Sequence, residues 1–386
     1  MHVSKRLVAL GAASAIFFAA CGGGGATTAP ATEAPASAPA ESMAPESTAP
    51  ESAAPSEAAV DYSGYKACVA FDTGGLGDKG FNDLAKKGLE DAGKLGFQTA
   101  FSEAQGATDY AANIQRLIDE GCNSIITVGF NQAQATVEAV KANEDINFGQ
   151  VDAVWDEATN GATPANFTGI DFQIDEAGVL AGYLAAGFSK TGKIGTYGGQ
   201  QFPGVTRFMD GLYAGIKIHN EKKGTAVELL GWDAAAQTGT FVGGDNPWGD
   251  PAKGEQLAQT FIDQGADIVH PVAGGTGLGT MKAMQAAGMW SIGVDTDQAI
   301  SVPEYASSIL TSSEKVIDVA VLDTFKAHAA GNAGGAPYIG TLANDGVRIS
   351  PFHELDSQVS AELKAEIEAL KAEIASGAVK VADYLK

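Results

Sequence analysis

The sequence is poor in positive charge. Its 386 residues contain 24 Lys and Arg against 47 Asp and Glu, which gives a formal net charge of -23 at pH 7. A surface of this sign repels the phosphates of nucleic acids and the anionic headgroups of lipids. We therefore expect no nucleic-acid partner, although the charge carries no information about the fold.

Cysteine and histidine are scarce as well. The chain has three cysteines and five scattered histidines, and no CxxC or HxxxH spacing typical of a metal site occurs. Cys68 lies in an apolar run and is most simply a small buried hydrophobic residue, although a disulfide with Cys122 is possible in an oxidising compartment. We expect neither a metal nor a cofactor.

Signatures of catalysis and of phosphate binding are also missing. The sequence lacks the phosphate loop GxxxxGK[ST] and the nucleophile elbow GxSxG. The run GGTGLG (274–279) does not fit the dinucleotide motif GxGxxG, but it follows a strand-like run and opens a helical one, so its N–H groups can face ligand oxygens. The segment 295–298 lacks the glycine and the distal glutamate of a calcium loop. These absences indicate a protein that is not an enzyme.

The first 62 residues are expected to lie outside the folded part. Two basic residues precede the apolar run 7–20, which is too short to span a bilayer and suits a secretory signal peptide over residues 1–20. The run ends in FAAC, which resembles a bacterial lipoprotein signal in which the cysteine, here Cys21, carries the lipid. Residues 21–62 are rich in Ala, Pro, Ser and Glu and predict a disordered tether.

From about residue 65 the sequence alternates between short apolar runs and amphipathic stretches. Near-continuous apolar runs predict strands that are buried on both faces, and the stretches between them predict helices. This alternation indicates an α/β fold with doubly wound parallel sheets. The predicted strands are 66–71, 124–130, 146–153, 167–172, 193–199, 225–232, 266–273, 290–295 and 307–312, and the later helices are 175–189, 204–222, 251–265, 276–287, 314–330 and 359–376.

The folded part is long enough for two lobes, because about 320 residues exceed one comfortable core. Ligands of open α/β sheets bind beyond the carboxyl ends of the strands. The segments that follow the predicted strands are therefore the candidate site: 72–82, Asn131–Gln132, 198–208, 274–279 and 295–298.

The loop FDTGGLGDKGFND (71–83) offers chemistry suited to a small molecule. Asp72 ends a strand, where a carboxylate can accept hydrogen bonds from amide, amine or hydroxyl donors. Phe81 opens the next helix, and its ring either packs against the core or covers a flat ligand. Asp72, Asp78, Asp295 and Asp297 could be paired carboxylates of an acid–base site, but they fall in separate halves. We expect Asp78 and Asp297 to be solvent-facing turn or cap residues.

Several blocks resemble a known family. VAFDTGGLGDKGFNDLAKKGL is similar to the opening of the basic membrane protein family, the solute-binding lipoproteins that serve ABC transporters. The similarity continues in the same order through PGVTRFMDGLYAGIK, WGDPAKGEQLAQTFIDQGADIV, AGGTGLGTMKAM, IGVDTDQ and LTSSEKVIDVAV. Together the blocks extend over most of the chain after residue 65.

The resemblance implies a type I periplasmic-binding-protein fold, with two lobes joined by a three-stranded hinge. Lobe 1 would comprise residues 63–172 and 313–333, and lobe 2 would comprise residues 173–312 and 334–386. The resemblance also implies a monomer, lipid-anchored on the extracytoplasmic face of the membrane. It would capture a purine nucleoside between its lobes and deliver this ligand to an ABC permease and ATPase complex.

The family's site residues carry over to specific positions. The resemblance implies that Asp72 hydrogen-bonds the base and Phe81 stacks on it, while Asp295 and Lys315 contact the sugar. His270 stands where the family often has Phe or Tyr, so it would either stack on the base or only line the cleft. The remaining candidates are Asn82, Asn131, Gly274, Gly275 and Gly277.

Two features separate this chain from the family pattern and leave the ligand open. The segment 234–248 enlarges one loop on the cleft side, and Gly80 replaces a common serine. The alternatives are another ribosylated or hydroxylated small molecule, a ligand sensor, and an exported α/β enzyme.

Overall fold

The computed structural model describes residues 60–385. The predicted signal peptide, Cys21 and the tether up to residue 59 lie outside this range. Strands and helices alternate along the described chain, as the sequence predicts. The strands are β1 (Lys66–Phe71), β2 (Gln98–Glu103), β3 (Ser124–Val128), β4 (Asn147–Val151), β5 (Phe167–Phe172), β6 (Lys193–Gly198), β7 (Glu228–Leu230), β8 (Trp232–Asp233), β9 (Thr238–Gly239), β10 (Ile268–Val272), β11 (Trp290–Asp295), β12 (Ile309–Lys315), β13 (Tyr338–Gly340) and β14 (Val347–Ile349).

The α-helices fill most of the connections between these strands. They are α1 (Phe81–Lys94), α2 (Tyr110–Asp119), α3 (Ala133–Ala142), α4 (Glu157–Asn160), α5 (Ile174–Phe188), α6 (Pro203–Lys223), α7 (Pro251–Asp263), α8 (Gly277–Ala286), α9 (Gln298–Ser301), α10 (Ile317–Ala329) and α11 (Ala361–Ala375). Short 3-10 turns lie at Ala107–Asp109, Phe130–Gln132, Gly274–Thr276, Pro303–Ser308, Leu342–Asn344, His353–Gln358 and Val381–Asp383. No helix among residues 60–385 has the length and hydropathy of a membrane span.

The two large sheets have the same topology. The first has the order β2-β1-β3-β4-β5-β13 with every pair parallel. The second has the order β7-β6-β10-β11-β12-β14, parallel except for the pair β12–β14. In each sheet the strand order reverses beside its first strand, which leaves a crevice between β1 and β3 and another between β6 and β10. The fold therefore presents two equivalent ligand-facing edges, and the predicted α/β architecture is confirmed.

The chain passes between the sheets three times. It leaves the first sheet after β5, returns from β12 into α10, which packs on α1, and crosses again between β13 and β14. The predicted lobe boundaries placed residues 334–386 in the second lobe, but residues 338–340 pair with β5 of the first sheet. They also placed residues 313–333 in the first lobe, but residues 313–315 belong to β12 of the second sheet. The lobe boundaries otherwise stay a prediction.

Close helix packing accompanies the first crossing. The long helices α5 and α6 lie against each other with glycines in the contact. A Cβ atom at Gly215 would collide with the carbonyl oxygen of Val179 and the nitrogen of Tyr183 on α5. Glycine at this position therefore allows the two backbones to approach closely.

A disulfide connects Cys68 in β1 with Cys122, just before β3. The two residues are 0% and 3% exposed and belong to a core cluster on one face of the first sheet, with Ile125, Phe148 and Phe167. Of the two alternatives open from the sequence, the structure thus has the bonded pair.

Candidate ligand-binding site

A cavity lies where the ligand-facing edges of the two sheets meet. It contains about 550 Å³ of space not filled by atoms, its open mouth included. Almost every wall residue comes from a segment at or just after the carboxyl end of a strand or from the start of a helix. The walls include Asp72, Gly74, Asp78, Phe81, Asn82, Gly129, Phe130, Asp152, Phe202, Gly204, Phe208, Trp248, Gly274, Asp295 and Lys315.

The wall from the first sheet begins with the loop after β1. The Asp72 carboxylate is buried, and its Oδ1 accepts hydrogen bonds from the N–H of Gly74 at 2.9 Å and from Nδ2 of Asn82 at 3.0 Å. The buried Asn82 Oδ1 has no hydrogen-bond partner among the described residues. The wall thus combines an ordered carboxylate with an amide oxygen that can still accept a hydrogen bond.

Asp78 organises this loop from the inside. It is 5% exposed and accepts hydrogen bonds from the N–H groups of Gly80 and Asn82, at 3.0 and 2.8 Å, at the start of α1. The predicted cap role fits these bonds, but the expectation of a solvent-facing side chain was wrong. The loop closes over Asp78 because four backbone and side-chain donors converge on its two oxygens.

Gly129 brings the end of β3 against Asp72. Its φ is +97°, a conformation that favours glycine, and a Cβ atom there would lie 2.6 Å from Asp72 Oδ2. Any larger residue would displace the carboxylate. The two strands that border the crevice of the first sheet therefore position Asp72 together.

The wall from the second sheet carries Asp295 and Lys315. Asp295 is the last residue of β11 and has a left-handed φ of 67°, while Lys315 ends the neighbouring strand β12. Lys315 Nζ lies 3.9 Å from Asp295 Oδ1 and 2.6 Å from Oδ2 of Asp152, which follows β4 of the first sheet. All three side chains are at most 10% exposed.

The charges in the cavity are unbalanced. Burial raises the pKa of Asp72 to about 6 and that of Asp295 to about 7, and in the second case Lys315 opposes the rise. Burial likewise raises the pKa of Asp78 and of Asp152. Four carboxylates and one ammonium group line the cavity, so a ligand rich in N–H and O–H donors complements it.

Aromatic rings form much of the remaining wall. The ring centroids of Phe81 and Phe208 lie 5.3 and 5.0 Å from Lys315 Nζ. Phe130, from the first sheet, stacks on Phe202, from the second, with centroids 5.3 Å apart, and Phe202 meets the Trp248 ring edge-on at 5.8 Å. Flat apolar faces beside ordered carboxylates suit a ligand that has both a ring and polar edges.

The structure brings together Asp72, Phe81, Asn82, Gly274, Asp295 and Lys315 as cavity walls. It does not place the other four candidates there. Asn131 is exposed, and its Nδ2 donates a hydrogen bond to Oε1 of Gln200, which follows β6 of the second sheet, at 3.1 Å. Gly275 and Gly277 follow Gly274 but do not line the cavity.

His270 departs most clearly from the sequence expectation. It is fully buried in β10 behind Phe208, with ring centroids 5.9 Å apart, and neither ring nitrogen has a hydrogen-bond partner among the described residues. Burial lowers the pKa of His270 to about 3, so the imidazole is neutral. It does not line the cavity.

Sequence reasoning missed several wall residues, Asp152 above all. The predicted strand 146–153 included Asp152, which concealed its position immediately beyond the end of β4. The rule that polar residues just after parallel strands face the ligand would have selected it once the strand end was known. Phe202 and Phe208 line the cavity from the candidate segment 198–208, which was selected without singling them out, and Phe130 and Trp248 also line it.

Comparison with known proteins gives this site a family context. The sequence profile of the ABC transporter substrate-binding proteins described as PnrA-like, the Bmp family, matches residues 66–384. The chain belongs to this family. It therefore belongs with proteins that bind substrates and are not enzymes, as the sequence predicts.

Named relatives agree with this membership. The chain is 30% identical over 337 residues to the ABC transporter nucleoside-binding protein BmpA of Lactococcus lactis, covering 82% of this chain and 88% of the relative. It is 27% identical over 305 residues to basic membrane protein A of Borreliella burgdorferi, covering 78% and 83%. These relatives are matched along most of their length.

Solved structures agree on the fold. An ABC transporter solute-binding protein from Aeropyrum pernix superposes with a TM-score of 0.72 at 25% identity, covering 82% of this chain and 92% of the other. A periplasmic solute-binding protein from Actinobacillus succinogenes with bound D-allose superposes at 0.57 with 12% identity, covering 76% and 99%, which shows the fold alone. The fold is that of the type I periplasmic binding proteins. ABC transporter substrate-binding proteins, the family to which the chain belongs, act outside the cytoplasm and pass a small molecule to an ABC permease and its ATPase.

Proposed function

We propose that the protein binds a nucleoside, with a purine base, between its two lobes and delivers it to its transporter. The observation that carries this proposal is the pairing of two kinds of wall in one cavity. Buried carboxylates from both sheets, Asp72 and Asp295, stand beside the rings of Phe81 and Phe208. A nucleoside has a flat base with polar edges and a sugar with adjacent hydroxyl groups, and it complements both.

The proposed contacts follow from the side chains available. Asp72 has its Oδ1 occupied by loop donors and can accept a base N–H with its remaining oxygen, while Asn82 Oδ1 offers a second acceptor. Asp295 can accept two ribose hydroxyls at once, because an ionised carboxylate has two oxygens for charge-assisted bonds. Lys315 supplies donors to sugar oxygens, and Phe81 covers the base. The nucleoside-binding relative supports the same ligand class.

We also propose that a lipid on Cys21 and the tether after it hold the monomeric binding protein near its permease. Cys21→Ala should move the protein from the membrane fraction to the soluble fraction without changing ligand affinity. An unchanged membrane fraction would refute the lipid anchor and leave the ligand proposal intact.

Thermal shift tests the ligand class directly. Inosine, guanosine and adenosine should each be compared with their free bases and with ribose. A nucleoside at one hundred times its Kd should stabilise the native state by about 2.7 kcal/mol. Stabilisation by ribose or another sugar, with none by nucleosides, would refute the proposal. Mass spectrometry of small molecules that co-purify with the protein gives an independent identification.

Two variants connect the ligand to this cavity. Phe81→Ala and Asp295→Ala should each abolish the nucleoside-induced shift, because they remove the stacking face and the hydroxyl acceptor. Asp119→Ala, which removes a carboxylate from the exposed side of α2, is the matched control and should keep the full shift. Retained binding in both cavity variants would place the nucleoside elsewhere.

A further inference from the structure

Asp152 occupies an unusual position in the cavity. The first half of the fold is here the first sheet with the helices packed on it, and the second half is the second sheet with its helices. Asp152 comes directly after β4 in the first half, its side chain is 6% exposed, and its φ of 62° lies in the left-handed region. A non-glycine residue pays a conformational cost there, so the surrounding contacts must hold it. It lines the cavity, yet no motif in the sequence marks it as a binding residue.

The contacts that hold Asp152 come from the other half of the fold. Its Oδ2 is 2.6 Å from Nζ of Lys315, which ends β12 of the second sheet and is 2% exposed. The same oxygen would lie 2.9 Å from a Cβ atom at Gly204, the second residue of the 21-residue helix α6. A helix N-terminus favours a nearby negative charge, so both neighbours from the second half of the fold stabilise this carboxylate.

Other charged groups surround the pair. Asp295 faces Lys315 from β11 at 3.9 Å, and Arg207, one turn along α6 from Gly204, is paired with Asp171 at 2.7 Å. Lys315 therefore has a close partner in the opposite half and a more distant one in its own. Because an ammonium group has three donors, Asp152 can occupy one and leave the others for a ligand.

Burial makes this contact sensitive to separation. An ion pair removed from water is stabilised only while both members stay together, and loss of one partner leaves an uncompensated charge. Movement of the two sheets away from each other would separate Asp152 from Lys315, while Lys315 and Asp295, on neighbouring strands, would stay together. The pair is therefore a contact between the two halves of the fold, whereas Lys315 and Asp295 make a contact within one sheet.

Asp152 also borders a second cavity. Together with Phe130 and Gly204 it lines a space of about 880 Å³, its opening included, whose other walls include Trp155 and Arg207. The Asp152 region is therefore a shared wall between the ligand cavity and a second solvent-accessible space.

We propose that Asp152 is a positioning residue that joins the two halves: its ion pair holds the Lys315 ammonium beside Asp295 and stabilises the closed form in which the ligand is bound. The inference rests on the proposed capture of a ligand between the lobes. It assigns to Asp152 no direct contact with the ligand. Its effect passes through Lys315 and through the relative position of the sheets.

A double-mutant cycle tests this coupling. Asp152→Asn keeps the shape and removes the charge, and Lys315→Met removes the ammonium. Calorimetric titration with inosine should show that each single variant binds at least about tenfold more weakly than the parent. The double variant should lose less than about a further twofold in affinity relative to the single variant that binds less tightly. Full additivity of the two losses would overturn the coupling.

Small-angle scattering of the ligand-free protein measures the radius of gyration, which a purely local structural role of Asp152 would not change. Asp152→Asn and Lys315→Met should both increase the radius of gyration relative to the unsubstituted protein, because the closed form loses its buried pair. If Asp152→Asn does not fold, as judged by circular dichroism, Lys315→Met decides the question. An unchanged radius together with affinity within twofold of the parent would overturn the inference.

Glu314→Gln is the matched control. Glu314 neighbours Lys315 on β12 and its side chain is 7% exposed, but its partner Arg348, at 2.8 Å, lies on β14 of the same sheet. The substitution removes the same charge from a buried carboxylate whose partner is half exposed and lies in the same sheet, so inosine affinity and the ligand-free radius should stay at parent values. If the parent protein binds no nucleoside at all, the proposed function fails, and the scattering comparison alone decides the role of Asp152.

Discussion

Asp295 is a carboxylate whose burial opposes its ionisation. Its pKa is raised to about 7 in the folded protein, against about 3.9 in an unfolded chain. The native state therefore holds this proton more tightly. The contribution of the protonated Asp295 to the free energy of unfolding is fully present below about pH 4 and is lost as the pH rises through about 7.

This pH dependence of stability should disappear when residue 295 cannot ionise. Asp295→Asn cannot ionise, so the ligand-free variant should gain stability relative to the parent as the pH rises from 5 to 8, by at most about 1.4 kcal/mol per pH unit. Ligand affinity of the parent should change in the opposite direction and strengthen over the same interval, because sugar hydroxyls bind the ionised carboxylate better. Thermal melts and calorimetric titrations at pH 5, 6, 7 and 8 measure both trends. Parallel stability curves for parent and variant would contradict the prediction.

The buried imidazole of His270 is expected to destabilise the fold. Its neutral ring is buried, and neither nitrogen has a hydrogen-bond partner within residues 60–385. An unsatisfied buried polar group costs about 1–3 kcal/mol. His270→Leu, close in volume and apolar, should therefore keep or raise the free energy of unfolding in urea and leave nucleoside binding intact. Loss of binding in a folded His270→Leu protein would show that the imidazole acts at the site after all.

The residues of the site differ in how much the sequence reveals about them. Asp72 and Asp295 were predicted because each ends a strongly apolar run, where the edge of a parallel sheet is predictable. Asp152 was not, because its pairing with Lys315 joins segments 163 positions apart. The prediction for His270 failed because β10 turns this side chain behind Phe208, and the apolar run ADIVHPVA gives no sign of which face meets the ligand.

Among the elements, α5 and α6 depend on the absence of side chains in their contact. Ala at Gly215 would drive a methyl group into the backbone of α5 at Val179. We expect Gly215→Ala to lower the free energy of unfolding by about 1–3 kcal/mol, as overpacking does, despite the better helix propensity of Ala.

Gly93→Ala in α1 is the control for this prediction. A Cβ atom at Gly93 would meet Thr99 at an ordinary 3.5 Å, so Ala should raise stability by up to about 1 kcal/mol through helix propensity. Urea denaturation of the two variants should therefore give changes of opposite sign. A loss in both would show that something other than the contact with α5 is responsible.

Buried strands were predicted from the sequence more accurately than exposed or very short ones. Strands such as β1, β5 and β11 were predicted with their observed ends because they are buried on both faces and read as unbroken apolar runs. β2 was missed because it is an edge strand with mostly exposed or half-exposed residues. The three-residue strands β13 and β14 are too short for periodicity to register, and their pairing depends on the third crossing between the sheets.

In the whole molecule, contacts across the cleft join the two halves. Phe130 stacks on Phe202, Asn131 bonds Gln200, and the Ser301 hydroxyl donates to the carbonyl oxygen of Lys79 at 3.0 Å. Phe130→Ala removes the stack, which is worth about 0.5–1.5 kcal/mol beyond its buried area. We expect nucleoside affinity to fall about two- to tenfold and the ligand-free radius of gyration to increase.

Phe101→Ala provides the comparison. Phe101 is 41% exposed against 42% for Phe130, but it packs against Phe71 within the first half. The nucleoside affinity of this variant, measured by calorimetry, and its radius of gyration, measured by small-angle scattering, should equal those of the parent. Equal effects of the two substitutions would indicate general destabilisation and would show that the Phe130–Phe202 stack does not stabilise the closed form.

The Cys68–Cys122 bond has a consequence for how the protein matures. It closes a loop between positions 54 residues apart in the chain, and cross-linking a loop of that length stabilises a fold by about 4 kcal/mol on the chain-entropy account. Cytosolic thiols are kept reduced, so the chain leaves the cytoplasm without this cross-link and acquires it only after translocation. A preparation folded and stored with reductant is therefore a different covalent species from the exported protein, and its first half will melt earlier although its sequence is identical.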